Sequence, residues 1–362
     1  MSEQRVPQES QESIERERIQ QSSIHDVARV AGVSAATVSR ALRGLDRVKD
    51  ETRARVLEAA AALNYVPSPT AASLASGTTR VVGVVVPTLS RWFFASLLDG
   101  VEQLLRRHGY HVLLFTVGTR GPTRRLILDQ RLLWKRLDAV LVLGVDLEPT
   151  EVALLRDLRL PIVTVGVDLP GSYHVGIDDL AAAEAATTHL LELGHQRVAY
   201  VGDIRGDGGD TAMAVNRRTG VLRAFQRVGV PLDPTGMIVL TDWTVAAGMA
   251  VAERLLALDE PPTAVFAACD ELAMGIMCAA RRRGWDVPRD LSVIGVDDHE
   301  LAFTHELTTI AQPVTEQGEA AGRLLLDSLS RPQPRSRKDV VLPTRLVVRA
   351  STTGPRIGNR PG

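Results

Sequence analysis

Apolar positions change rhythm twice along the chain. Residues 1–21 are polar, charged and aperiodic, which predicts a disordered tail. From Ser23 a helical period takes over: Ile24, Val27, Ala28 and Ala31 share one face, and Ser23 with Asp26 forms a capping-box pattern. Gly32 breaks that helix, Ser34 can cap a second with Val38, Ala41 and Leu42 inward, and Gly44 ends it. A third helix is expected from about Glu51, with Val56, Leu57, Ala60 and Leu63 inward. Three short helices, the first two joined by a glycine-containing turn, describe a helix-turn-helix over residues 22–66. Residues 67–79 follow as a linker, in which Ser68 can cap and Pro69 can open a short helix through Ala75.

From Val81 the period switches to strands alternating with helices. Val81–Val86, His111–Val117, Ala139–Val145, Ile162–Val167, Arg197–Val201, Ala264–Ala267 and Ser292–Val296 are short β-branched runs. Helical stretches such as Phe94–His108, Ala181–Leu193 and Val245–Leu258 lie between them. Such alternation predicts parallel sheets covered on both faces, and two sets of units predict two similar subdomains with a cleft at the carboxyl ends of the strands. The expected fold is therefore α plus α/β: a three-helix head and a linker able to hold a short helix, then a two-subdomain parallel α/β body. Its boundaries are placed at 80–178 plus 310–338 for the first subdomain and 179–309 plus 339–353 for the second, with a loose tail at 354–362.

Charge adds a distribution to this outline. The whole chain carries −1, yet residues 22–80 hold eight Lys/Arg against five acids, a +3 module on a mildly acidic body. That balance suits a polyanion-binding head on a soluble carrier. No apolar leader and no membrane-length run is visible, so a cytoplasmic location is expected. Cys269 and Cys278 match no metal or redox spacing and read as two buried thiols. The eight histidines are scattered, so neither a metal nor a cofactor is expected. Pro87-Thr88-Leu89-Ser90 after the first strand lacks the glycines of a dinucleotide fold, and neither a P-loop nor a G-x-S-x-G elbow occurs. The chain does not read as an enzyme.

With Val38 and Leu42 inward, the second helix turns Ala36, Ser39, Arg40 and Arg43 outward. A recognition helix needs such an anchored side and an exposed one. Arg40 can offer two parallel donors to guanine, while Ser34, Thr37 and Ser39 suit phosphates. The run from Ser23 to Leu42, continued in register by Glu51-Thr52-Arg53-Ala54-Arg55-Val56-Leu57 and Asn64-Tyr65-Val66-Pro67, resembles the head of the lactose-repressor (LacI/GalR) family, and the likeness extends to about Thr353. The resemblance implies that Ala35 and Ala36 fall where operator preference varies, with Arg40 reading a base. It implies that residues 68–76 form a hinge helix, with Ala71 on its apolar face and Leu74 at the position of a minor-groove wedge. Partners implied are double-stranded DNA, a second copy of the chain and a small-molecule effector, expected to be a sugar or sugar derivative.

The effector site is expected between the subdomains. The resemblance implies stacking aromatics in the first loop, here Trp92 and Phe93, although Phe93 and Phe94 can equally serve the core. Arg217 and Asp297 match a ligand arginine and carboxylate, and Trp243 a position that packs on a pyranose face. Asp270 can bond the ligand or cap its own helix. Two departures stand out. Lys49 replaces the usual small cap, so Asp50 is expected to cap the third helix. Arg91-Trp92 replaces Asn-Pro, which opens a place for a phosphorylated or carboxylated effector.

Overall fold

A computed structural model describes residues 22–46, 48–66, 77–117, 136–145, 147–203, 212–231, 238–330 and 339–356. The hinge positions Ala71 and Leu74 lie outside the described residues. Two compact units emerge, residues 1–79 and 80–362.

In the first unit, α1 (Ile24–Ala31), α2 (Ala35–Leu42) and α3 (Asp50–Ala62) pack around Val27, Val38 and Val56, all fully buried. Ser23 caps α1 through a reciprocal box with Asp26, and Gly32 closes it in the left-handed conformation at φ 67°. Ser34 accepts the Thr37 N–H at 3.2 Å to start α2. The expected Asp50 cap is not made: Asp50 is the first residue of α3, and Lys49 is the N-cap without a side-chain bond. Asp50 and Glu51 instead place negative charge in the first turn, where it favours the helix dipole.

The described residues of the second unit form two six-stranded sheets. In chain order its elements are β1 (Val81–Val86), α4 (Trp92–Arg107), β2 (His111–Thr116), β3 (Ala139–Leu143), α5 (Pro149–Asp157), β4 (Ile162–Val165), β5 (Tyr173–Ile177) and α6 (Asp179–Glu192). There follow β6 (Val198–Asp203), α7 (Ala212–Val228), β7 (Ile238–Leu240), α8 (Val245–Leu255), β8 (Ala264–Ala267) and α9 (Asp270–Arg282). The unit ends with β9 (Ser292–Asp297), α10 (Glu300–Thr304), β10 (Thr308–Ala311), α11 (Val314–Ser330), β11 (Asp339–Leu342) and β12 (Arg345–Val347). The first sheet runs β11-β5-β4-β3-β1-β2 and the second β12-β10-β9-β8-β6-β7. The two orders are the same architecture used twice. Among the described residues every strand pairing is parallel except that of β12, which runs antiparallel to β10 at an edge.

Buried apolar runs explain the central strands: β3, β8 and β9 are buried at every position. Helices approach through glycine. A Cβ on Gly220 of α7 would lie 2.3 Å from the Leu180 carbonyl oxygen of α6. Residues 308–311 form β10 of the second sheet, so the return crossing falls later than the boundary expected at residue 310. Residues 339–342 pair with β5 in the first sheet, not the second, because their backbone completes the edge that β5 leaves open. The described part of the tail is not loose either: Arg356 pairs with Asp290 at 2.9 Å. Of the two thiols Cys269 is buried, but Cys278 is exposed on α9.

Candidate nucleic-acid interface and ligand cleft

On the head, α2 separates its duties by face. Val38 and Ala41 are buried, whereas Ser34, Ala36, Arg40 and Arg43 are exposed and Ala35, Thr37 and Ser39 half-buried. Ala35 leans on the core with Leu42. Ser34 Oγ lies 2.9 Å from Thr37 Oγ1, so the two hydroxyls hold each other at the start of the helix. Arg43 caps the end, its Nε donating to the Ser39 carbonyl at 3.2 Å. Arg40 has no ion-pair partner among the described residues, which leaves its five N–H donors to an external acceptor. An anchored helix presenting hydroxyls at its N-terminus and guanidiniums beyond has the geometry that duplex DNA requires.

In the second unit, side chains from both subdomains converge beyond the carboxyl ends of the strands. Arg217 comes from α7, buried against Asp179 at the start of α6; its Nε and Nη2 each lie 2.8 Å from Asp179 Oδ1, and Nη1 donates to the Ala268 carbonyl. Its guanidinium lies 5.1 Å from the centre of the Trp243 ring. The Trp243 indole is fixed in turn by donating Nε1–H to the Gly202 carbonyl.

Asp297 ends β9 at φ 130°, and Asp298 follows at φ 58°, two non-glycine residues in disfavoured conformations. Surrounding bonds hold that strain, as is usual at ligand sites. Gln312 Nε2 donates to Asp297 Oδ1 at 2.6 Å, Gln317 donates to Gln312 at 2.9 Å, and Arg349 grips Asp298 at 2.6 Å. Burial pushes the Asp297 carboxyl up to about 6, against the pull of Arg217 and the Gln312 bond.

Asp270 neither caps its helix nor reaches into the cleft as a spare ligand group. Cys269 is the N-cap of α9. Both Asp270 oxygens are used, accepting from Thr309 Oγ1 at 2.7 Å and the His299 N–H at 2.8 Å. Burial first, and the charge of Asp297 second, push its carboxyl well above the carboxylate range. Asp270 thus ties the β9–α10 loop to β10.

From the first subdomain, Trp92 meets the His299 ring at 4.7 Å between centroids, and Phe93 packs edge-on against Phe94 at 5.4 Å. Phe94 is core, filling the space over Gly144. Arg91 pairs with Glu271 at 2.7 Å. Asp179, Glu271, His299 and Gln312 were not singled out in the sequence. Each acts on a residue far away in the chain, so no local spacing marks them. Among the described residues no group of His, Cys, Asp and Glu could hold a metal ion, and no helix is long and apolar enough to cross a membrane.

Two family models match: bacterial regulatory proteins of the lacI family over residues 23–68, and a periplasmic binding protein-like domain over residues 187–352. The chain is 35% identical over 338 residues to the HTH-type transcriptional repressor CytR of Escherichia coli (strain K12), covering 91% of this chain and 96% of that protein. It resembles the lac repressor dimer bound to operator and the anti-inducer ONPF with a TM-score of 0.81 at 25% identity, over 92% of this chain and 100% of that one. A third likeness is to the transcriptional regulator CelR in complex with cellobiose, with a TM-score of 0.68 at 29% identity, over 91% of this chain and 100% of that one.

Proposed function

The chain belongs to the lacI family of bacterial regulatory proteins, and from that premise we propose that it is a ligand-responsive repressor whose homodimer binds a pseudo-palindromic operator under the control of a sugar-like effector. It is a DNA-binding transcriptional regulator and not an enzyme. The observation that carries the finer reading is the convergence of Arg217, Asp297 and Trp243 at one cleft, joined by Trp92 from the other subdomain. A guanidinium, a carboxyl and an indole face suit a polyol with an apolar ring face.

DNA contacts are assigned to Ser34, Ala35, Ala36, Thr37, Ser39, Arg40 and Arg43, with Ala71 and Leu74 entering the minor groove at the centre of the site. Ala35 and Ala36 meet thymine methyls and Arg40 a guanine edge. A single head offers little contact area, so two heads related by a twofold axis are needed to read the site, joined through the first subdomain. The effector contacts are Trp92, Phe93, Arg217, Trp243 and Asp297. Asp270 supports them from behind. A phosphorylated or carboxylated effector is disfavoured, because it would have to lie beside the Glu271 carboxylate that Arg91 now neutralises.

Selection of bound duplexes from random DNA tests the head, with a palindrome of two half-sites as the expected result. Recovery of no preferred sequence would overturn it. A thermal-shift screen of sugars, sugar phosphates and nucleosides tests the cleft. Stabilisation by a neutral sugar or nucleoside, coupled to a change in operator affinity, is expected. Silence across the three classes would leave an effector-independent DNA binder instead.

A further inference from the structure

Arg91 is the N-cap residue of α4, but its side chain makes no cap bond. It crosses the cleft. Nε donates to Glu271 Oε2 at 2.7 Å, Nη2 approaches Cys269 Sγ at 3.5 Å, and the guanidinium carbon stands 5.9 Å from the centre of the Trp243 ring. The other Glu271 oxygen accepts the Trp92 N–H at 3.4 Å. Arg91 and Trp92 belong to the first subdomain; Glu271, Cys269 and Trp243 belong to the second. Side-chain exposure is 16% for Arg91 and 17% for Glu271, so solvent screens this pair far less than a surface bridge.

Two consequences follow from this placement. Contacts that a ligand would supply between the subdomains are supplied here by the chain itself, which favours the closed cleft without a ligand. The guanidinium also stands over the Trp243 ring, as the Arg217 guanidinium does at 5.1 Å, and so takes part of the space where a sugar face would lie. We infer that Arg91 is a tethered surrogate ligand and a specificity-determining residue: an effector enters by displacing its guanidinium from Trp243 and Glu271. Entry then selects for hydrogen-bond donors, hydroxyl or amine, that can satisfy the vacated Glu271 carboxylate. A phosphate or carboxylate in that place would face an uncompensated like charge. The selectivity rests on the cleft being the effector site, whereas the bridge can be tested with no effector present.

Hydrogen exchange of the unliganded full-length protein, read over residues 87–94 and 297–305, provides the test. Arg91→Ala and Glu271→Gln should each speed exchange in both segments by about tenfold or more, as loss of one partner from a shielded pair predicts. The swapped pair Arg91→Glu with Glu271→Arg should recover most of the protection. Ethylguanidinium chloride, titrated into Arg91→Ala, should give a saturable change in tryptophan fluorescence that the unaltered protein lacks, by refilling the space over Trp243. Should Arg91→Ala fail to fold by circular dichroism, Glu271→Gln carries the exchange measurement alone. Single variants exchanging at the original rate, or a swap without recovery, would overturn the inference. Protection that behaves as expected in a protein that binds no sugar would keep the bridge and discard the effector reading.

Discussion

Two substitutions on opposite faces of α2 separate folding of the head from reading of DNA. Val38 is fully buried between α1 and α3, so Val38→Ala deletes two methyl groups from the centre of the head. At ~0.8 kcal/mol per buried carbon, plus a residual cavity, the cost is about 2 kcal/mol. The head spans residues 22–66, for which a stability of roughly 0.05–0.15 kcal/mol per residue allows about 2–7 kcal/mol in all. The variant therefore gives up a large share of what holds the head together, and its melting midpoint should fall by roughly 10 °C or more. Arg40 is exposed, and Arg40→Ala removes no packing. Loss of its proposed base contact should weaken operator binding about 5- to 150-fold and relax the preference at one position of each proposed half-site. Mobility-shift titrations at a low and a high temperature distinguish the two. Val38→Ala should bind nearly normally when cold and lose binding steeply on warming, whereas Arg40→Ala should lose a similar factor at both. Equal losses for Val38→Ala across temperature, with an unshifted head transition in calorimetry, would show that this core does not limit the head.

Leu74→Ala should lower operator affinity and leave effector affinity nearly unchanged; unaltered operator binding in a mobility-shift titration would remove Leu74 from the proposed wedge. Asp297 titrates at about 6 in the folded chain, above the ~3.9 of an unfolded carboxyl, so the folded state binds more protons between those values. The stabilisation is present below the unfolded value and is lost as pH rises through about 6, so the melting temperature of the second unit should fall on that limb. Asp297→Asn should make that limb shallower, leaving the share that the raised Asp270 carboxyl contributes, and an unchanged slope would contradict burial as the cause. Gly220→Ala drives a methyl against the Leu180 carbonyl and should cost roughly 1–3 kcal/mol in thermal denaturation of the second unit, against the usual gain of a helical Gly→Ala change.

Local chemistry was enough to place the helices of the head and the alternating body, although Leu57, expected inward on the third helix, is exposed. Caps at Ser23 and Ser34, the turn at Gly32 and the apolar face through Val38 act within a few residues, so their pattern is written in the chain. The buried β-branched runs are equally local, since a strand covered on both faces has no polar side to lose. Short strands escaped this logic. Thr308–Ala311 and Arg345–Val347 carry polar residues and are made by pairing alone, and Asp339–Leu342 joins whichever sheet has an open edge. The same is true of the cleft. Arg217 and Asp297 were picked out by resemblance alone, but the identity of their partners was not, because Asp179 meets Arg217, Gln312 meets Asp297 and Glu271 meets Arg91 only when distant segments of the chain are brought together by the fold. Capping and hydrophobic period act over one or two turns of chain. Charge pairing and burial act through space, and only the tertiary structure decided that Asp270 is consumed by Thr309 and His299 while Arg91 spans the cleft.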